Sequence, residues 1–428
     1  MISDPACSET IYAWVYLPSM VEPVLCGKIV RKRMESGQYK GVFTYGKSYL
    51  NRADAIALDL GLPLAMKAYE TTLLADHFSV FLDAGPDQWG RREIDRTRGP
   101  QTDLGYLLHS AGDQVGALAF TRERNDVPGP KGSFDIESLD DLLLASELLE
   151  QGLPLPERLE RLLNIGTSAG GARPKATIVD KDRQWLAKFP SAKDSPGLPS
   201  NPRMEAATLD LATLCGLNVP QRHLLRVGDK DVLLVERFDR AFLGAGKWGR
   251  HRYVSARTVF HSKPDVQQYV LHGSYQRLAR ELGAWSISAA SDRLELFKRI
   301  VFNCLVSNTD DHDLNHGLID TGKGFSLSPL FDVVPKPPTG SRQFLVLAAG
   351  QLGSEASREN LLSDCTPFGI SVAEATTMVA SLEATVATNW NRCCADRGID
   401  EAGRSALAAA FCPKSFDNPF RGQRQDIR

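Results

Sequence analysis

The apolar pattern of this chain changes period near residue 240, and that switch limits the available folds more than any other feature. Before it, short strand-like runs recur between turn residues: "YAWVYL" (12–17), "GKIV" (27–30), "GVFTYG" (41–46), Ala176–Val179, Trp185–Phe189 and the pair in "QRHLLRVGDKDVLLVERFDR" (221–240). After it, "YQRLARELGAW", "SDRLELFKRIVFNCLVSN", "SVAEATTMVASLEATVATNWNRCC" and "EAGRSALAAAF" carry helical spacing. A β-rich half followed by an α-rich half predicts two lobes with a cleft between them.

Helices also punctuate the first half. "TTLLADHFSVFLDAGPDQWGRREIDR" reads as helical and broken at Gly85–Pro86, and "TDLGYLLHSAGDQVGALAF" as a helix, a turn and a strand. "PRMEAATLDLATLCGLNVP" is an amphipathic helix ended by Gly216. At 428 residues the chain exceeds one compact core. The Pro/Gly-rich "NDVPGPKGSF" (125–134) marks a boundary, so we expect an α+β module over 1–124, a β-rich lobe over 125–240 and a helical lobe over 241–428.

A formal charge of −2 argues against coating nucleic acid by bulk electrostatics. The eight cysteines form no CxxC pair and fit reduced cytoplasmic thiols. No apolar run of membrane-spanning length occurs and the N-terminus lacks a secretory pattern, so a cytoplasmic protein is expected.

One polar knot needs a ligand to explain it. "VSNTDDHDLNHGLID" (306–320) follows the apolar run Leu296–Val306 and crowds four acidic side chains, two histidines and two asparagines together. Asp310 and Asn315 stand five apart, the D-x-x-x-x-N spacing of a kinase catalytic loop. There a carboxylate orients a hydroxyl nucleophile and an amide oxygen holds magnesium. Asp311 and Asp313 read as solvated neighbours. His312 and His316 are four apart and could share zinc on a helix, but Asp, Asn and Gly317 favour a loop, where His312 braces the backbone or nears the transferred phosphate.

Three further features stand in order with it. "GTSAGG" (166–171) is a small-residue loop whose N–H groups can approach an anion. Lys188 in "WLAKFP" lies on a strand expected to be at least half buried, where an ammonium needs an anion; Glu205 on the next helix could answer it. Alone, such a lysine reads as a snorkelling surface residue. Asp332 in "FSLSPLFDVVP" could supply a second metal carboxylate, against the plainer reading of a turn former.

Taken together, "TSAGGARPKA" (167–176), "LAKFP" (186–190), "CGLNVP" (215–220), "VERFDR" (235–240), "NTDDHDLN" (308–315) and "LSPLFDVVP" (327–335) resemble the HipA-type serine/threonine kinases, the toxin halves of bacterial toxin–antitoxin pairs. "AGPDQWGRR" and "GDQVGALAF" resemble that family's leading module, so coverage is nearly end to end. The resemblance implies an α+β, two-lobed protein-kinase-like fold: a β-rich N-lobe with an extra N-terminal α+β module, and an all-α C-lobe. It implies ATP and Mg²⁺ as cofactors. Ser168, Ala169, Gly170 and Gly171 would form the phosphate loop, with Lys175 and Lys188 on the phosphates and Glu236, Arg237 and Phe238 as the hinge reading adenine. Asp310 would be the catalytic base with His312 beside it, and Asn315 and Asp332 the magnesium ligands. Ser168 would be autophosphorylated, placing a dianion where the ATP phosphates belong.

In such toxins the substrate is a cellular protein, an aminoacyl-tRNA synthetase, and a helix-turn-helix antitoxin supplies DNA contact. Arg173–Pro174 departs from the Gln–Glu often found there, the loop at 166–171 is not G-x-G-x-x-G, the base sits in "NTD" rather than H-R-D, and no D-F-G or A-P-E triplet occurs. Two other readings stay open: a small-molecule phosphotransferase of the aminoglycoside type, and a DNA-bound co-repressor using basic runs such as "RKR" (31–33), "GRHRYVSAR" (249–257) and "RGQRQDIR" (421–428).

Overall fold

The β-branched and aromatic runs of the first 121 residues do form strands. In a computed structural model describing residues 8–72, 77–110, 112–129, 134–159, 173–262 and 273–417, β1 (Ser8–Val15), β2 (Val24–Arg33), β3 (Tyr39–Tyr45), β4 (Ala68–Thr71) and β5 (Leu118–Thr121) build an antiparallel sheet in the order β4-β3-β2-β1-β5. Alternation turns Ile11, Ala13 and Phe43 inward, and Phe81 sits between Phe43 and Phe120 at centroid distances of 5.1 and 6.0 Å. The break at Gly85–Pro86 separates a short helix, Ser79–Asp83, from α1 (Gln88–Arg98), which Asp87 caps by accepting from Gly90 N at 2.7 Å. Helix α2 (Asp103–His109) follows.

A second sheet runs in the order β6-β7-β8-β10-β9, from β6 (Phe134–Asp135), β7 (Lys175–Asp180), β8 (Arg183–Lys188), β9 (Arg222–Val227) and β10 (Lys230–Glu236); only β6 and β7 pair in parallel. Ala176, Ile178, Trp185, Ala187 and Leu234 leave one face of it and join Leu139, Leu142 and Leu143 of helix α3 (Leu139–Glu150) in a dry core.

Past residue 240 come five further strands: β11 (Arg240–Phe242) with β12 (Trp248–Arg250), then β13 (Arg252–Ser255), β14 (Gly317–Asp320) and β15 (Phe325–Leu327). Each has three or four residues, too few for a period-2 pattern to stand out.

Contacts divide the chain into two units that do not follow its order. The first holds 1–193, 220–270 and 317–328; the second holds 194–219, 271–316 and 329–428. This division crosses the sequence boundary at 240.

The second unit is helical. Helix α4 (Asn201–Leu214) packs on α7 (Val372–Asp396), α7 on α6 (Ala289–Leu305), and α6 on α5 (Tyr275–Trp285); α8 (Glu401–Leu407) follows α7. Helix α6 buries Leu296, Phe297, Ile300, Val301, Phe302 and Leu305. Among the described residues no helix is long and apolar enough to cross a membrane.

Candidate functional site

The polar knot begins where α6 stops. Ser307 turns into the left-handed region (φ 53°), its hydroxyl donates to Ala410 O at 2.6 Å, and the chain leaves as the loop Asn308–His316. Inside that loop Asn315 Nδ2 donates to the Asp310 carbonyl at 2.7 Å and Asn315 N donates to the His312 carbonyl at 2.9 Å. Leu314 N donates to His312 Nδ1 at 3.3 Å, so His312 braces the backbone. Asp310 stays exposed while Asn315 is buried. With one amide N–H on the Asp310 carbonyl, Oδ1 is the Asn315 atom able to accept or to hold a cation.

Asp332 lies on the segment Phe331–Lys336, which reaches the loop through Lys336 N donating to the Ser307 carbonyl at 3.2 Å. Its own backbone is left-handed (φ 60°), and its N–H donates to Glu205 Oε1 of α4 at 3.1 Å. A non-glycine residue held there costs of order 1–3 kcal/mol, a strain that clusters at functional positions. Asp310, Asn315 and Asp332 thus belong to one unit, the first two joined by a hydrogen bond. Their carboxylate and amide oxygens are hard donors suited to magnesium, which needs one or two protein ligands and keeps waters.

The expectation that Asp311 and Asp313 are solvated is wrong: they are 1% and 2% exposed. Asp311 closes a buried network. Its Oδ1 accepts from Val346 N at 2.7 Å and its Oδ2 from the Tyr275 hydroxyl at 2.5 Å. The same hydroxyl accepts from Asn303 Nδ2 at 3.1 Å and lies 3.1 Å from His316 Nε2. His316, four from His312, therefore faces the α5 phenol. Burial, helped by the cationic Arg299 and by His312, drops its imidazole to about 3, so it is neutral.

Burial pushes the Asp311 carboxyl up to about 7, against the Tyr275 and Val346 hydrogen bonds and with help from Asp310. A raised carboxyl value favours folding fully below the ordinary carboxylate range, and that contribution is lost as pH rises toward 7. The Asp311 share of the unfolding free energy should therefore fall from pH 4 to 7 with a slope approaching about 1.4 kcal/mol per pH unit, beside that of Asp59, whose carboxyl burial also pushes up to about 7. Asp311→Asn should flatten that slope in denaturant titrations; an unchanged slope would move the titration elsewhere.

The other expected site residues lie in the first unit. Lys175 and Lys188 face each other across β7 and β8, and Leu233 of β10 flanks Lys188. Lys188 is half-buried, whereas Lys175 is 4% exposed and its Nζ donates to Asp87 Oδ2 at 2.6 Å. Glu236 N donates to the Gln221 carbonyl and Arg237 N to the Gln184 carbonyl, each at 2.8 Å, which fixes the backbone at the end of β10. The Phe238 ring lies 6.2 Å from Tyr253. The Arg237 side chain does not reach outward: it is 6% exposed and bound to Asp113, Thr177, Asp239 and the Gln114 carbonyl. Ser168, Ala169, Gly170 and Gly171 lie outside the described residues.

Sequence reasoning missed Tyr275, Asn303 and Asp87. Tyr275 and Asn303 sit 36 and 8 residues before Asp311 on helices whose apolar spacing masks single polar positions, and Asp87 reads locally as a cap.

A family model described as the HipA-like C-terminal domain matches residues 167–390, and one described as the HipA N-terminal domain matches 20–121. Two curated relatives come from Sinorhizobium fredii. "Putative kinase Y4mE" is 24% identical over 68% of this chain and 71% of its own length, and "Putative kinase Y4dM" is 31% identical over 36% and 38%. The solved Shewanella oneidensis HipA, from a complex with HipB and operator DNA, superposes with a TM-score of 0.65 at 17% identity, covering 92% of this chain and 94% of its own. At that identity the likeness establishes the fold, which is kinase-like.

Proposed function

This chain belongs to the HipA family, and from that premise we propose that it is an ATP- and Mg²⁺-dependent serine/threonine protein kinase of the toxin type. The observation that carries the reading is the loop in which Asn315 holds the Asp310 carbonyl at 2.7 Å and leaves the Asp310 carboxylate exposed. Phosphoryl transfer asks little covalent chemistry of a protein; it asks for positioning and for charge aimed at the phosphates. Asp310 orients the acceptor hydroxyl and takes its proton. Lys188 offsets phosphate charge from the sheet, and the Glu236–Phe238 backbone receives the adenine. Asn315 and Asp332 would hold magnesium, which supplies neutralisation of the developing phosphate charge.

The acceptor is a cellular protein, an aminoacyl-tRNA synthetase in the toxins this chain resembles, and the chain also modifies its own Ser168. The solved relative was captured with HipB and operator DNA, which supports an antitoxin partner for this chain and DNA contact through it; we place both in the cytoplasm.

Purified chain given Mg²⁺ and γ-labelled ATP should label protein in a cell extract, and should label itself on Ser168 by phosphopeptide mapping. Label on aminoglycoside-type alcohols but not on protein would replace this reading with a small-molecule phosphotransferase. No transfer to either would leave the co-repressor reading.

A further inference from the structure

The sheet face that bears Lys188 is shared with the N-terminal module. Because Lys175 pairs with Lys188 and Thr177 with Leu186, these four side chains leave β7 and β8 on one face, opposite the α3 core. Two module carboxylates meet that face. Asp113 accepts from the Thr177 hydroxyl at 2.7 Å. Asp87, at the start of α1, accepts from Lys175 Nζ at 2.6 Å, with side chains 7% and 3% exposed.

A lysine so placed is ill suited to a phosphate. Its ammonium already spends a short charge-assisted bond on a buried carboxylate, and moving it would strand Asp87 unpaired. Lys188 lies half-buried on the same face.

We propose that Asp87 and Lys175 form a tether by which the N-terminal module positions β7 for nucleotide binding, with Lys188 rather than Lys175 the lysine that meets the phosphates. Asp87 is then a positioning residue acting through Lys175. This rests on the kinase reading, which the test separates from the tether.

An ATP analogue with a lysine-acylating phosphate end, applied with Mg²⁺ to the full chain and mapped by mass spectrometry, should modify Lys188 and leave Lys175 intact. Acylation of Lys175 overturns the tether, and absence of any lysine protected by excess ATP overturns the kinase reading beneath it. The second arm uses Asp87→Asn, whose amide oxygen can still cap Gly90. A fluorescent ATP analogue should bind this variant about tenfold more weakly, the size of an ordinary coupling between contacting residues, with stoichiometry still one per chain. Adding Lys175→Met should weaken it no further. Unchanged affinity in Asp87→Asn, or losses that multiply in the double variant, would return Lys175 to the phosphates.

Discussion

Asp310→Asn is expected to lower phosphoryl transfer to protein by about 10²–10⁴-fold, the span of a lost general base, while nucleotide binding stays near wild type. The frame explains why the effect should be confined to chemistry. Asn315 is held through the Asp310 main-chain carbonyl, which the substitution keeps. The neighbouring Asp311 keeps its Tyr275 and Val346 bonds, and the exposed Asp310 side chain leaves no buried hole. Single-turnover transfer from labelled ATP, beside titration with an ATP analogue, separates the two quantities. A variant that labels protein at the wild-type rate would remove Asp310 from the mechanism; one that loses nucleotide as well would make it a structural residue.

Much of this was legible along the chain because its signals are local. Strands β1, β2, β3, β7, β8, β9 and β10 and helices α4 to α8 follow from apolar period and turn residues within windows of a dozen positions. The Asp310–Asn315 frame is local too, closing over five residues. What stayed hidden is long-range. The hydroxyl that satisfies Asp311 comes from α5, and the carboxylate that meets Lys175 comes from the cap of α1, 88 residues earlier. An aspartate reads the same in sequence whether it is solvated or buried against a phenol. Burial is decided by the helices on either side, so Asp311 and Asp313 were misread. Lys175 shows the converse: a motif position suggests a phosphate, and only the fold reveals the buried anion already there.

The largest stability effect should come from Asp239→Ala. Residues 237–240 follow β10, and the side chains of Arg237, Asp239 and Arg240 join Arg250 and Asp113 in a buried cluster of three guanidiniums and two carboxylates. Asp239 Oδ2 accepts from Arg240 at 2.6 Å, from Arg237 at 2.9 Å and from Gly116 N at 2.9 Å, while Arg250 donates to the Gly112 carbonyl at 2.5 Å. Burial alone would raise the Asp239 carboxyl, but Arg237 and Arg240 outweigh it and hold the group well below the usual carboxylate range. A depressed carboxyl contributes stability above its ordinary titration range and loses it only as pH falls through the folded value, so this contribution is constant from about pH 5 upward. Removing the carboxylate leaves two buried guanidiniums to share Asp113 and the Gln114 carbonyl, and breaking such a buried pair costs about 3–5 kcal/mol. Denaturant unfolding at pH 7 should show that loss. A change below about 1 kcal/mol would mean that water or relaxation satisfies the arginines.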